Sequence, residues 1–464
     1  MTYRELVVES VSLARALRAL LLDAGDAGDA VTAVFVENRR ELLPSLVANL
    51  LLGVPVTMLN PLSNTGELVR AWTSTKPCLV LCSWSTLPAV QEAAQSLPFL
   101  RHAVVFPRGT PEGDQGDAPE VGEDHSSLRV EAYTELLRSN SPEKALDDPM
   151  YGVREVLRPV QSSTHTAYLL QCGRGGRIAR LTHRNLQYTV QLLHSSMLSG
   201  CRREPDAAGY GWTADDVLLL GAPLSHAFGL GICLGALALG LKVVIMQYFR
   251  EQLFLSAVQT HQPSPVLVVN AEWCDRQVSQ LVLVPRQAEL LAHSPLLEDA
   301  AVVAGGGGRG RVLRGLRGVV CAAAPLPRAL HRDLTRRLDA PCRQAYGLTQ
   351  ASCSLLVAPR GAPPDTQGRV VPGAEAKVVD AVLRAPLGPL QVGELYLRAP
   401  SIMAGYVDHA RAQDDDNDQD EEGWLRTGDL AYYDRNECVF VVDRLKDVTM
   451  YTRGHFKEFD VEHD

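Results

Sequence analysis

Leu169–Leu186, LLQCGRGGRIARLTHRNL, is the stretch on which the reading of the fold turns. It reads as a strand that runs into a glycine- and arginine-rich turn and then opens a helix. Gly173, Gly175 and Gly176 can bring backbone amides close to a ligand, and Arg174 and Arg177 add positive charge. Amides near a helix N-terminus favour anions. The same residues equally suit an ordinary basic turn.

On both sides of this stretch, apolar runs of strand length alternate with helical patterns. AVTAVFV, ELLPSLVANLLLG, PVTML, ELVRAW and PCLVLCS precede it; TAYLL leads into it; DDVLLLGAPL, KVVIM, SPVLVVN and RGVVCAAAP follow. That alternation implies β-α-β units around mainly parallel sheets. From about Arg369 the pattern changes to short alternating pieces with glycine turns, AEAKVVD, GELYLRAP and CVFVVDRL, which imply a small antiparallel unit. The expected fold class is α/β: a first lobe over residues 1–160, a second over 161–368, a small β subdomain over 369–442 and a short terminal piece over 443–464.

Composition narrows the function. With 464 residues, 46% of them hydrophobic, the chain can bury large cores and divides into several domains. A net charge of -9 without a long basic block argues against a dedicated nucleic-acid binder, whose affinity comes from cations neutralising phosphates. The ten cysteines include no C-x-x-C pair, so neither a zinc site nor a disulfide framework is signalled, and a reducing compartment fits. The longest uncharged apolar run, Ala227 to Leu241, falls short of the roughly 18 residues of a membrane span. The N-terminus carries acidic residues and an amphipathic helical pattern, unlike a secretory leader.

Several suggestive pieces do not hold up. His331 to Leu334, HRDL, lacks the asparagine of a kinase catalytic loop, since Leu338 stands there, and no D-F-G follows. No G-x-S-x-G elbow appears. Ala304 to Arg311, AGGGGRGR, fits a dinucleotide pattern only because glycine repeats do, and reads as a flexible insertion. Pro107 to Ser127 reads as a surface loop, and the acidic run Asp414 to Glu422 as a solvated, mobile one.

What remains is a series of motifs in fixed order: the opening stretch, then APLSHAFGL (222–230), CAAAPLP (321–327), YGLTQAS (346–352), GELYLRAPSIMAGY (393–406), GWLRTGDLAYYD (423–434) and VDRLKD (442–447). In this order they resemble the adenylate-forming superfamily of AMP-binding enzymes, in particular the 4-coumarate-CoA ligase, acyl-CoA synthetase and luciferase branch. The resemblance implies ATP-dependent activation of an aromatic or fatty carboxylic acid to an acyl-adenylate, then transfer to coenzyme A, with magnesium. It implies small-molecule partners, no nucleic acid, and a cytoplasmic or peroxisomal setting.

It also implies roles. Tyr346 would stack on adenine beside Gly347 and the Ala323, Ala324 and Pro325 turn. Thr349 would hydrogen-bond the α-phosphate, Asp429 would accept from the ribose hydroxyls, and Arg444 would reach ribose or phosphate. His226 would sit where the acyl group and the thiol pass. Gly173, Gly175, Gly176, Arg177 and Thr182 would line the phosphates, and Gln350 would stand at the metal. Four departures accompany the match. The loop lacks the family's threonine and serine hydroxyls, and Arg177 replaces its lysine. Gln350 replaces a glutamate, which should weaken magnesium binding. Ala322 replaces a glycine, and a positive φ there would strain it. The sequence stops soon after VDRLKD, where the family continues into a lid with an adenylation lysine. An active ligase and a catalytically impaired relative that binds AMP, an acyl-adenylate or a partner protein are both compatible with these residues.

Overall fold

Successive strand residues face two different cores, which is why the strands read as unbroken apolar runs. Val34 of β1 (Thr32–Phe35) enters a large central core, while Ala33 and Phe35 enter a second one on the outer side of the sheet. The computed structural model describes residues 1–23, 30–108, 128–140, 149–173, 176–198, 209–259, 266–269, 277–297, 315–407 and 418–445. Arg174, Gly175, most of the 107–127 loop, the 304–311 glycine run, residues 414–417 of the acidic run and everything after Leu445 lie outside the described residues.

The first sheet adds β2 (Val56–Met58), β3 (Leu79–Cys82), β4 (His102–Val105), β5 (Arg129–Ala132), β6 (Thr166–Cys172) and β7 (Arg177–Thr182), in the order β5-β4-β3-β1-β2-β6-β7. Every neighbouring pair is parallel except the β6–β7 hairpin. The opening stretch is thus strand, turn, second strand and only then helix (His183–Leu198), a correction to the strand-turn-helix reading. The second strand is hidden in sequence because Arg177 and Arg180 bracket its apolar residues; Ile178 packs on the outer core and Ala179 and Leu181 on the central one. Since β6 and β7 complete the first sheet, sheet membership does not change at residue 160 but after Thr182.

The second sheet comprises β8 (Val217–Leu220), β9 (Lys242–Met246), β10 (Val266–Val269), β11 (Gln280–Leu283), β12 (Gly318–Cys321), β13 (Cys342–Gly347), β14 (Ser354–Val357) and β15 (Arg369–Val370), in the order β10-β9-β8-β11-β12-β13-β14-β15. Its middle is parallel and its ends are antiparallel. Leu218 and Leu220 join the same central core as Val34, so the two sheets share one apolar interior. A buried amide crosses between them. Asn38, just past β1, donates through Nδ2 to the carbonyls of Ala222 (3.3 Å) and Met246 (3.1 Å), and its Oδ1 accepts from Leu224 N at 2.8 Å.

The third sheet, β16 (Glu375–Val379), β17 (Gly393–Arg398), β18 (Leu425–Tyr433) and β19 (Val439–Arg444), is antiparallel throughout, as the alternation implied. Its register sets Asp429 directly opposite Arg444. Among the described residues, the eight cysteines form no disulfide, and no helix is long and apolar enough to cross a membrane.

Candidate active site

The strands of the second sheet end at one cavity of about 940 Å³. Ligands of open parallel sheets lie at these carboxyl ends, where loops are free to vary. Its walls come from the β6–β7 turn (Gly173, Arg177), the segment after β8 (Ala222 to Gly229), the ends of β12 and β13, and the edge of the third sheet, including Arg444.

Local sequence explains how the walls are built. In PLSHAFGL, a Cβ on Gly229 would lie 2.2 Å from the Pro223 carbonyl oxygen, so only glycine lets the helix Ala227–Ala238 close onto that turn. His226 is the N-cap residue of this helix and makes no capping bond with its side chain, leaving the imidazole facing the cavity. Enclosure by the cavity walls pushes its pKa below the ordinary histidine value. At the end of β13, a Cβ on Gly347 would meet Cys353 O at 2.1 Å, so the chain can turn there into the short 3-10 segment Thr349–Ala351 only with glycine. Thr349 and Gln350 line the cavity as a result.

Tyr346 and Asp429, far apart in sequence, meet: the Tyr346 hydroxyl donates to Asp429 Oδ2 at 2.5 Å, and Arg444 Nε lies 2.9 Å from Asp429 Oδ1. Asp429 is buried and Arg444 half exposed. Burial, then the neighbouring carboxylate, holds the Tyr346 hydroxyl protonated far above its usual range. A carboxylate offers about four acceptor positions, so Asp429 retains capacity for a ligand's hydroxyls.

The glycine turn carries a second cluster. Arg177 Nη2 pairs with Asp418 Oδ2 at 3.0 Å, and its guanidinium stacks over the Tyr406 ring at 4.3 Å. The Tyr406 hydroxyl donates to the same carboxylate oxygen and accepts from Gln350 Nε2 at 3.0 Å. Gln350 therefore acts as a donor here. The described residues do not fit a magnesium site. The two carboxylates lining the cavity, Asp418 and Glu394, are each paired with an arginine, Arg177 and Arg384, at 3.0 Å, and no group of three or more acidic, histidine or cysteine side chains gathers among the described residues.

Other expected site residues fall differently. Thr182 is buried and spends its hydroxyl on Asn185 Oδ1 at 2.8 Å, in a cap for the following helix, so it does not face the cavity. Ala322 and Ala323 line the cavity, whereas Ala324, Pro325 and Gly176 do not, and Tyr346 and Asp429 stand behind its lining residues Gly347, Gly428 and Arg444. Ala322 has no positive φ and so carries no such strain; the positive φ falls on Ala323, at 77°. Gly175 lies outside the described residues. Two members of the site carried no individual role in the sequence reading. Tyr406 closes a recognised motif, and Asp418 belongs to the acidic run read as solvated; nothing in a run of like charges marks the one that turns inward.

Comparisons with known proteins agree with this fold. The family model described as AMP-binding enzyme matches residues 179–407. Luciferin 4-monooxygenase of Photinus pyralis is 28% identical over 456 residues, covering 97% of this chain and 72% of the relative. 4-Coumarate–CoA ligase-like 9 of Arabidopsis thaliana is 30% identical over 298 residues, 63% of this chain and 46% of the relative. Among solved structures, ATP-bound MatB from Rhodopseudomonas palustris superposes with a TM-score of 0.70 at 19% identity, covering 96% of this chain and 74% of that one. Residues 179–407 match the AMP-binding enzyme family, and the ordered motifs and relatives together support the adenylate-forming superfamily for the chain.

Proposed function

We propose that the chain joins a carboxylic acid, aromatic or fatty, to coenzyme A through an acyl-adenylate. The observation that carries this reading is the meeting of Tyr346 and Asp429 with Arg444, which lines the cavity together with Thr349 and His226. In the first step a carboxylate oxygen attacks the α-phosphorus of ATP, and the bond to the β-phosphate oxygen breaks with its electron pair going to pyrophosphate. In the second the thiol sulfur attacks the acyl carbon, its proton passes to a base, and AMP leaves with the carbonyl–oxygen electron pair. Such chemistry rests on positioning and on charge stabilisation.

Each residue has a place in that scheme. Tyr346 lies against the base, Asp429 accepts from the ribose, Arg444 supplies a permanent cation, and Thr349 donates to the α-phosphate. His226, whose pKa is lowered by desolvation, can donate a ring N–H to the substrate carboxylate in the first step or take the thiol proton on a ring nitrogen in the second. No step is routed through magnesium, because the described residues do not fit it.

A second reading is favoured by a specific observation: Arg177 is already paired with Asp418. On that reading the protein holds AMP or an acyl-adenylate without turnover. Thermal unfolding with ATP, AMP and an acyl-adenylate analogue, alongside an acyl-CoA assay, separates the two, with Asp429→Ala as control. A ligand at about 100 times its Kd adds about 2.7 kcal/mol of stability. Acyl-CoA formation above the Asp429→Ala control upholds the ligase. Stabilisation by AMP or the adenylate without product leaves the binding protein, and no response to any nucleotide refutes both.

A further inference from the structure

Of the four arginines that line the cavity, two are held by aspartates in different places: Arg444 by Asp429 and Arg177 by Asp418. The pairs differ in what else they serve. Asp429 is buried in β18 and shares its carboxylate with the Tyr346 hydroxyl. Asp418 lies outside any strand, and every donor around it points one way. Gln350 Nε2 donates to the Tyr406 hydroxyl, that hydroxyl donates to Asp418 Oδ2, and the Arg177 guanidinium faces both Asp418 oxygens, with Nη2 3.0 Å from Oδ2 and Nη1 3.5 Å from Oδ1.

That is how a protein grips an anion: a guanidinium fork and a hydroxyl donor polarised by a second donor, with Gly173 on the same cavity wall. Tyr406 is fixed for the task. Its segment pairs with β7 through Arg180 N to Gly405 O at 2.9 Å and Val407 N to Ile178 O at 3.0 Å, which holds its ring beneath Arg177. The Asp418 backbone is anchored too, its carbonyl accepting from Arg426 N at 2.6 Å. The ion pair is partly open to solvent, with Arg177 41% and Asp418 22% exposed. Exposed pairs are weak enough for a stronger anion to displace.

We propose that Asp418 is a specificity-determining residue. Its carboxylate fills the Arg177–Tyr406 anion site as a built-in competitor, so that the cavity favours a nucleoside monophosphate or acyl-adenylate over ligands carrying a further phosphate group. This deepens the nucleotide-binding reading above and rests on it. A monophosphate needs only the Tyr346–Asp429–Arg444 end, whereas a triphosphate or pyrophosphate must expel Asp418 and bring negative charge beside it.

The test is calorimetric titration of the full chain with ATP, AMP and inorganic pyrophosphate, without added divalent metal. The variants are Asp418→Asn, which keeps the shape and removes the charge, Asp418→Ser, and Asp418→Asn combined with Arg177→Gln. Removing the charge should tighten pyrophosphate and ATP by up to about fivefold, the scale set by an exposed ion pair, and leave AMP unchanged. The added Arg177→Gln change should abolish the gain. Equal effects on AMP and pyrophosphate, or no gain with either aspartate variant, overturn the proposal while leaving AMP binding intact. Tighter pyrophosphate in a protein that binds no nucleotide upholds the anion site and instead refutes the nucleotide reading. Far-ultraviolet circular dichroism of each variant establishes that it is folded.

Discussion

Ala323 holds a left-handed backbone, φ 77°, at the cavity wall, a conformation that costs a residue with a Cβ roughly 1–2 kcal/mol. Ala323→Gly should therefore raise the unfolding free energy by up to about 1 kcal/mol, after glycine's greater flexibility in the unfolded chain offsets part of the relief. Ala322→Gly, at a buried position without positive φ, should lower it by about 0.5–1 kcal/mol. Urea unfolding of the two variants checks both, and opposite signs are the expected result. Sequence alone could name an alanine-rich turn as a place of strain, but which of two adjacent alanines turns left-handed is a property of the loop's path. The same limit applied to charge. Tyr346, Asp429 and Arg444 were legible through their motifs, whereas Asp418 was one acid among many until the fold brought Arg177 to it.

The THRNL segment works as a joint between elements. Asn185 Oδ1 accepts from Thr182 N and Oγ1, at 2.9 and 2.8 Å, and its Nδ2 donates to the carbonyls of Pro400 and Ile402, at 3.0 and 2.7 Å. One amide thus caps the helix His183–Leu198 and ties it to the segment following the third sheet's β17. Asn185→Ala should remove roughly 2–3 kcal/mol of stability, the combined scale of a helix cap and buried carbonyls left unpaired. The denaturation midpoint measures it, and a loss under 0.5 kcal/mol would show that the joint is dispensable. The elements themselves were largely legible. Apolar runs marked the inner strands β1, β2, β3, β8, β9 and β12, whose residues are buried on both faces, and alternation marked the third sheet, whereas the exposed edge strand β5, RVEA, carries no such run. The strand β7 escaped notice because basic residues interrupt its period of two.

Across the whole molecule, His183, His226 and His331 all have pKa values lowered from 6.5 by burial. The folded state therefore resists protonation. As pH falls from about 6.5 through the lowered folded values, the unfolded chain takes up protons first, and stability is lost across that window. Buried Glu9 acts in the opposite sense, since burial raises its carboxyl above 4.5 and the folded state gains protons there first. The thermal midpoint of His331→Gln, followed from pH 7.5 to 5.5, isolates one contribution. Its decline should be shallower than that of the unaltered chain, and an equal slope would assign the acid sensitivity to other groups. The amide of Asn38 has a different consequence at this scale. By gripping the wall segment Ala222–Leu224 from the opposite sheet, it pins the two jaws of the cleft at a fixed opening. A wall held in this way is set when the chain folds, so a ligand that fits it pays little to order it.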